Sequence, residues 1–195
     1  MHGLINRSIQ SYVCDNHGTA FWSEAAARAG LDFSEFEAML TYDDALTPRL
    51  LDALAALLGR QRAEVMEDIG TYLASHPRVE AVRRLLRFGG VTFEDFLHSL
   101  DDLPDRARLA VPDFDLPAVE LREQAPGHYS LICSAPVAGY GHVMMGVLRV
   151  MADDYGALAL LEHRGGAQGV ETIAVTLVES SYSTGRAFDL GARAG

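Results

Sequence analysis

The sequence contains no lysine, and all sixteen of its basic residues are arginine. A lysine amine is needed for Schiff-base chemistry, for a pyridoxal-phosphate enzyme and for the Walker A phosphate loop. The absence of lysine therefore excludes these three kinds of site. Cysteine is also rare, since only Cys14 and Cys133 are present, and the two form neither a CxxC pair nor a zinc-ligand spacing. We expect both to be free, buried thiols.

Basic charge and long apolar runs are scarce as well. The 195 residues carry 27 acidic and 16 basic side chains, which gives a formal net charge of -11 at pH 7. Such an acidic chain is a poor partner for nucleic acid or for an anionic membrane. No uncharged apolar window of about 18 residues could span a bilayer, and we see no signal peptide. These features predict a cytoplasmic protein.

Helical periodicity dominates the first hundred residues. Apolar residues recur there at spacings of three and four, in a succession of short segments. The pair Thr47-Pro48 predicts a helix start, with threonine as the N-cap and proline in the first turn. The pattern changes near residue 102, where three prolines interrupt it and predict a connecting segment: Pro104, Pro112 and Pro117.

Strand patterns follow the connecting segment and flank one long helix. The predicted strands cover Ala118–Glu123, His128–Ser134, Ala157–His163 and Val170–Leu177, and the predicted helix covers Tyr140–Tyr155. We place the turn between the last two strands at Arg164-Gly165-Gly166. Two hairpin-like pairs around one helix predict an antiparallel sheet covered by that helix.

The predicted fold class is therefore α+β, with an N-terminal helical subdomain followed by an antiparallel sheet that packs against a long helix. We expect a single domain over residues 1–185. Its helical subdomain covers 1–103 and its α/β subdomain covers 104–185. Residues 186–195 are polar and rich in glycine, which predicts a flexible tail.

No pattern typical of an enzyme occurs in the chain. A GxSxG elbow is absent, no GxGxxG motif follows a strand, and no histidine pair has the HExxH spacing. We expect the seven histidines to be surface or turn residues. The sequence therefore predicts a protein without catalytic activity.

Short motifs nevertheless stand in a distinctive order: MHGLIN at residues 1–6, Gly89-Gly90, and LDDL at residues 100–103. Together with their spacing they resemble the heme nitric oxide/oxygen binding (H-NOX) family, and the likeness covers residues 1–185. The resemblance implies heme b between the helical half and the sheet half, a proximal histidine on the iron, and a Tyr-x-Ser-x-Arg motif for the propionates. It also implies nitric oxide sensing and a signalling partner, such as a histidine kinase or a cyclic-dinucleotide enzyme.

The resemblance also reveals substitutions at the heme positions. It assigns the iron ligand to Pro104, and proline has no lone pair to offer iron. It assigns the propionate motif to Ile132, Ser134 and Pro136, so the arginine that would bind a carboxylate bidentately is missing. The family's heme-pocket positions that are retained are Ile5, Pro117 and Ser134.

Three residues are candidates for a substitute iron ligand. His98 precedes Pro104 by six residues, which is roughly 240° around a continuous helix, so it would need a change of register. His2 would approach from the first helix, on the opposite side of the heme. Cys133 lies inside the altered propionate motif, and a thiolate can bind heme iron.

Three hypotheses for function remain open at this point. The chain could be a sensory domain in which loss of the iron ligand weakens heme binding and nitric oxide sensing. It could be a heme-free module that regulates a partner protein. It could also bind another apolar ligand, such as a fatty acid or a different tetrapyrrole.

Overall fold

The computed structural model describes residues 1–187, and the chain forms two compact units, Met1–Ile69 and Gly70–Gly195. The sequence places the subdomain boundary between residues 103 and 104, where helices give way to strands. The boundary between the two compact units comes earlier in the chain, after Ile69. The predicted flexible tail over residues 186–195 lies outside the described residues except for its first two positions.

The first unit is helical. It contains α1 (Gly3–His17), α2 (Thr19–Arg28), α3 (Leu46–Leu58) and the first part of α4 (Arg62–Ser75). The predicted threonine N-cap of α3 is wrong, because Ala45 is the N-cap and Thr47 lies inside the helix. The Thr47 hydroxyl is buried and donates a hydrogen bond of 2.7 Å to Oδ1 of Asn6 in α1. This bond between two helices takes the hydroxyl away from local capping.

The second unit contains the sheet and the remaining helices. After a 3-10 turn at Pro77–Val79 come α5 (Glu80–Arg87), α6 (Phe93–His98), α7 (Leu103–Ala110), β1 (Ala118–Ala125), β2 (His128–Ser134), α8 (Tyr140–Tyr155), β3 (Leu158–Ala167) and β4 (Val170–Glu179). The strands are antiparallel in the order β1-β2-β4-β3. One sheet face packs with α6 and α8 around a single apolar core. The predicted α+β fold is confirmed, and β2 and α8 have the predicted bounds.

The predicted turn at Arg164-Gly165-Gly166 is wrong. Strand β3 continues through these residues, and the chain reverses at Gln168-Gly169, where φ is 55° and 78°. Two successive positive φ angles are what a two-residue type I′ hairpin requires. The Gly165-Gly166 pair instead lies where the β3–β4 register shifts, between His163 and Gly166. A glycine with positive φ suits such a bulge.

We predict that Gly70→Ala is strongly destabilising. A Cβ on Gly70 of α4 would lie 1.9 Å from the carbonyl oxygen of Val143 in α8. A backbone carbonyl cannot rotate away as a flexible side chain can, so the two helices must separate. We therefore expect the free energy of unfolding to fall by about 3 kcal/mol, which is at the upper end of the range for overpacking. Urea denaturation measures this loss.

Gly165→Ala is the matched control in the same unit. Its φ of 73° strains an alanine, yet a Cβ there meets nothing within 4 Å. The free energy of unfolding should then fall only by the cost of the left-handed backbone conformation, which is about 1 kcal/mol. An equal or smaller loss for Gly70→Ala would contradict the close packing of α4 on α8.

Candidate functional site

Pro104 occupies the first turn of α7 and is half-buried. The sequence predicted a connecting segment at this point, and the helix corrects it. The first turn needs no backbone N–H, so a proline starts a helix there without loss of a hydrogen bond. Its only polar backbone group is a carbonyl. The side chain that stands at the position the resemblance gives to the iron ligand therefore has no donor atom for a metal.

His98 is not on the same helix as Pro104. It ends α6, and residues 99–102 separate it from α7. The predicted rotation of roughly 240° along one helix therefore does not apply. The His98 side chain is exposed, and its ring meets the ring of Tyr129 in β2 edge-on, with 5.8 Å between centroids and 89° between planes.

His2 and Ile5 lie in the first unit. His2 is the N-cap of α1, and its Nδ1 accepts a hydrogen bond of 3.2 Å from the N–H of Leu4. The ring nitrogen thus satisfies one of the orphan donors of the helix. Ile5 is half-buried in the first turn of the same helix. His2 therefore has a structural role at the start of α1, and it also forms an isolated β-bridge with Thr41.

The predicted propionate positions Ile132 and Ser134 and the candidate ligand Cys133 lie on opposite faces of strand β2. Side chains alternate along a strand, and Cys133 faces the core that contains α8. Ile132 is half-buried and Ser134 is exposed, both on the opposite face. Pro136 is exposed beyond the end of the strand. Pro117 is half-buried immediately before Ala118, which pairs with Ser134, so these two predicted residues lie at the same end of the sheet.

The two cysteines are free, and both are poor thiolate donors. Cys133 is buried, and burial together with the nearby Glu171 carboxylate raises the pKa of its thiol to about 12. Cys14 is only half-buried, which corrects the predicted burial, and burial and Asp15 raise its pKa as well. Since the thiolate is the form that binds metals, the Cys133 candidate is disfavoured at neutral pH.

The sequence did not reveal a polar cluster at the amino end of α8. The Glu171 carboxylate on β4 accepts hydrogen bonds from the N–H groups of Gly139 and Gly141, the latter at 2.8 Å. His163 Nε2 lies 3.1 Å from Glu171 Oε2, and the His142 ring stacks on the His163 ring with 4.0 Å between centroids. Both histidines are half-buried, so their expected surface location is wrong.

The electrostatics of this cluster favour a charged Glu171 carboxylate beside a neutral His142 imidazole. Burial opposes ionisation of Glu171, yet hydrogen bonds from Gly139, His163 and Gly141 hold its pKa below the ordinary value. Burial, and then the neighbouring His163, lower the pKa of His142. A carboxylate at a helix N-terminus also interacts favourably with the helix dipole. The cluster fixes the first turn of α8 to strands β3 and β4.

Within residues 1–187, no three His, Cys, Asp or Glu side chains are arranged to hold a metal ion. In the same part of the chain, no helix combines the length and apolarity needed to cross a membrane.

Comparison with known proteins gives a coherent set of relatives. A family model described as Haem-NO-binding matches residues 2–162. The soluble guanylate cyclase gcy-31 of Caenorhabditis elegans is 25% identical over 154 residues, which are 79% of this chain and 22% of that protein. The soluble guanylate cyclase 89Da of Drosophila melanogaster is 22% identical over 160 residues, which are 82% of this chain and 24% of that protein. This chain thus spans less than a quarter of the length of either relative.

Solved structures share the fold. An Fe(II) unliganded H-NOX protein from K. algicida superposes with a TM-score of 0.78 at 16% identity, over 94% of this chain and 100% of the other. An H-NOX protein from S. oneidensis in the Fe(II)NO state gives a TM-score of 0.75 at 15% identity, over 91% of this chain and 99% of the other. At this level of identity the likeness establishes the fold alone.

We predict that acid destabilises the second unit through His142. Its pKa is lower in the folded protein than the ordinary value near 6.5, so the unfolded chain takes up the proton first. The stabilisation is fully present above that ordinary value and is lost as pH falls through the folded pKa. The free energy of unfolding should decline from pH 7 to pH 5, and His142→Gln should flatten that decline.

The exposed His98 provides the matched control, and His98→Gln should keep the wild-type slope. Urea denaturation across the pH range measures all three proteins. Equal slopes for wild type and His142→Gln would contradict a half-buried, neutral His142 against His163 and Glu171.

Proposed function

This chain belongs to the Haem-NO-binding family, and on that premise we propose that it is a non-catalytic sensory or regulatory domain whose use of heme is weakened by loss of the iron ligand. Domains of this family are heme-binding sensors of nitric oxide or oxygen. The observation that carries the proposal is Pro104 in the first turn of α7. The fold of the family is present, while the residue at the assigned ligand position cannot bind iron.

The described residues do not fit the family's way of holding heme b. The propionate position assigned to arginine is Pro136, which is exposed and carries no charge. The candidate substitute ligands are also poorly suited to bind iron. The pKa of the Cys133 thiol is raised to about 12. His98 is directed at Tyr129 from a separate helix. His2 caps its own helix through Nδ1. These observations support a domain that does not rely on heme ligation.

A domain without catalytic residues acts through a partner. Relatives of this chain include soluble guanylate cyclases, in which the similar region is less than a quarter of the protein. We propose that this chain likewise acts on a signalling protein, such as a histidine kinase or a cyclic-dinucleotide enzyme. Its cytoplasmic location and the binding of a fatty acid or another tetrapyrrole stay predictions.

We predict that Pro104→His gains heme binding. An imidazole in the first turn of α7 restores a donor atom at the assigned ligand position. Titration with hemin, followed by reduction and exposure to nitric oxide, should give a saturable Soret band that shifts with nitric oxide in Pro104→His. Wild type and the matched variant Pro104→Ala should give neither a saturable band nor a shift.

Two results would contradict the proposal. A stoichiometric, nitric oxide-responsive band in wild type would show that another residue ligates iron, and loss of that band in His98→Ala, His2→Ala or Cys133→Ser would identify it. Failure of Pro104→His to bind hemin, with its fold intact by circular dichroism, would remove Pro104 as the ligand position.

A further inference from the structure

Positive charge is concentrated on one short segment of this acidic chain. Residues 78–87 contain four arginines and one glutamate, a net charge of +3, whereas the whole chain carries -11. The segment ends in helix α5, and Arg87 is its last residue. A local patch of opposite sign on an acidic protein is a feature that electrostatic recognition can use.

Two of these arginines anchor α5 to the end of α8. Arg83 donates from Nε to Oδ2 of the buried Asp154 at 2.8 Å, and its Nη2 lies 2.7 Å from the same oxygen. The Arg87 guanidinium carbon lies 4.1 Å above the ring of Tyr155. Arg78 is exposed and Arg84 is half-buried. The helix is thus fixed to α8 with Arg83 paired to Asp154, while Arg84 keeps positive charge at the helix surface.

Two large apolar side chains project beside this charge. Phe88 is 71% exposed and Val91 is 89% exposed, on either side of Gly89-Gly90. Aromatic residues and arginine are enriched at protein interfaces and among the side chains that contribute most to binding. We call Arg78, Arg84, Phe88 and Val91 the α5 surface.

The turn that contains Val91 is fixed by hydrogen bonds to its backbone from two different helices, α6 and α8. The N–H groups of Val91 and Thr92 donate to Oδ2 of Asp95 at 3.1 and 3.0 Å. The Tyr155 hydroxyl donates to the carbonyl of Gly90 at 3.1 Å. A Cβ on Gly90 would lie 2.1 Å from that of Asp95, so the turn is closely packed. An apolar side chain presented on a fixed turn loses little conformational entropy when it binds.

We propose that the α5 surface docks an acidic amphipathic segment of a partner signalling protein. Carboxylates of the segment would meet Arg84, and its apolar side chains would cover Phe88 and Val91. The inference rests on the proposed regulatory role, because a domain that acts through a partner needs a surface to hold it. A peptide segment meets only the charge within a Debye length of about 8–10 Å. An anionic membrane would face more of the acidic chain, so the observations favour a protein segment.

The test uses the full chain without hemin and a fluorescent synthetic probe. The probe is an amphipathic helix of about five turns, with leucine on one face and glutamate on the other. A matched peptide carries lysine in place of every glutamate. We expect the glutamate peptide to bind, the lysine peptide to bind at least about tenfold more weakly, and added salt to weaken the glutamate peptide.

Variants locate the binding. Phe88→Ser with Val91→Ser, and separately Arg84→Glu, should each weaken the glutamate peptide about tenfold or more. Leu160→Ser is the matched control, because Leu160 is 63% exposed on β3, outside the α5 surface. It should leave the affinity unchanged. Arg84→Glu should also tighten binding of the lysine peptide, and circular dichroism checks that the variant keeps its fold.

Several results would overturn the inference. Equal binding of both peptides, or no effect of the α5 variants, removes the docking site. Binding to phosphatidylserine vesicles without binding to the peptide makes the surface a membrane contact. Self-association in sedimentation that the Phe88→Ser, Val91→Ser protein loses makes the occupant a second copy. Because no hemin is present, each of these results leaves the heme titration of Pro104→His as an independent test of the proposed function.

Discussion

Helix α8 is fixed by a carboxylate at each of its ends, to the sheet at its amino end and to α5 at its carboxyl end, and the second unit depends on that arrangement. Glu171 receives the N–H groups of Gly139 and Gly141 at the amino end. Asp154, 1% exposed, receives Arg83 from α5 at the other end. A buried carboxylate without its donors is costly, often by about 3–5 kcal/mol when one partner is removed. The helix therefore has little freedom to slide along the sheet.

Both anchors are hydrogen bonds and ion pairs between residues of the chain itself. The core between α6, α8 and the sheet is filled by side chains such as Phe96, Leu131, Leu148 and Met151, all essentially inaccessible to solvent. Apolar burial of this kind is the main driving force of folding. These contacts do not depend on an iron ligand, which is consistent with our proposal that Pro104 stands at the family's ligand position.

The sequence predicts some elements of this fold to the residue and misses others for identifiable reasons. Strand β2 and helix α8 are bounded by residues that break regular structure, and their periodicities differ sharply, so local pattern is sufficient. The β3–β4 turn is misplaced because Gly165-Gly166 is a stronger local signal than Gln168-Gly169. Only strand pairing distinguishes a bulge from a turn. The Glu171 cluster depends on residues from two strands and a helix, which no local pattern brings together.

The central claim, that this domain folds and persists without heme, can be measured directly by thermal unfolding. The chain would be produced in heme-deficient cells and melted with and without hemin. Ligand that binds only the folded state raises Tm in a concentration-dependent way. The account predicts a single cooperative transition and a Tm that hemin leaves unchanged. A chain that unfolds cooperatively only with hemin, or whose Tm rises and saturates near one equivalent, would contradict it.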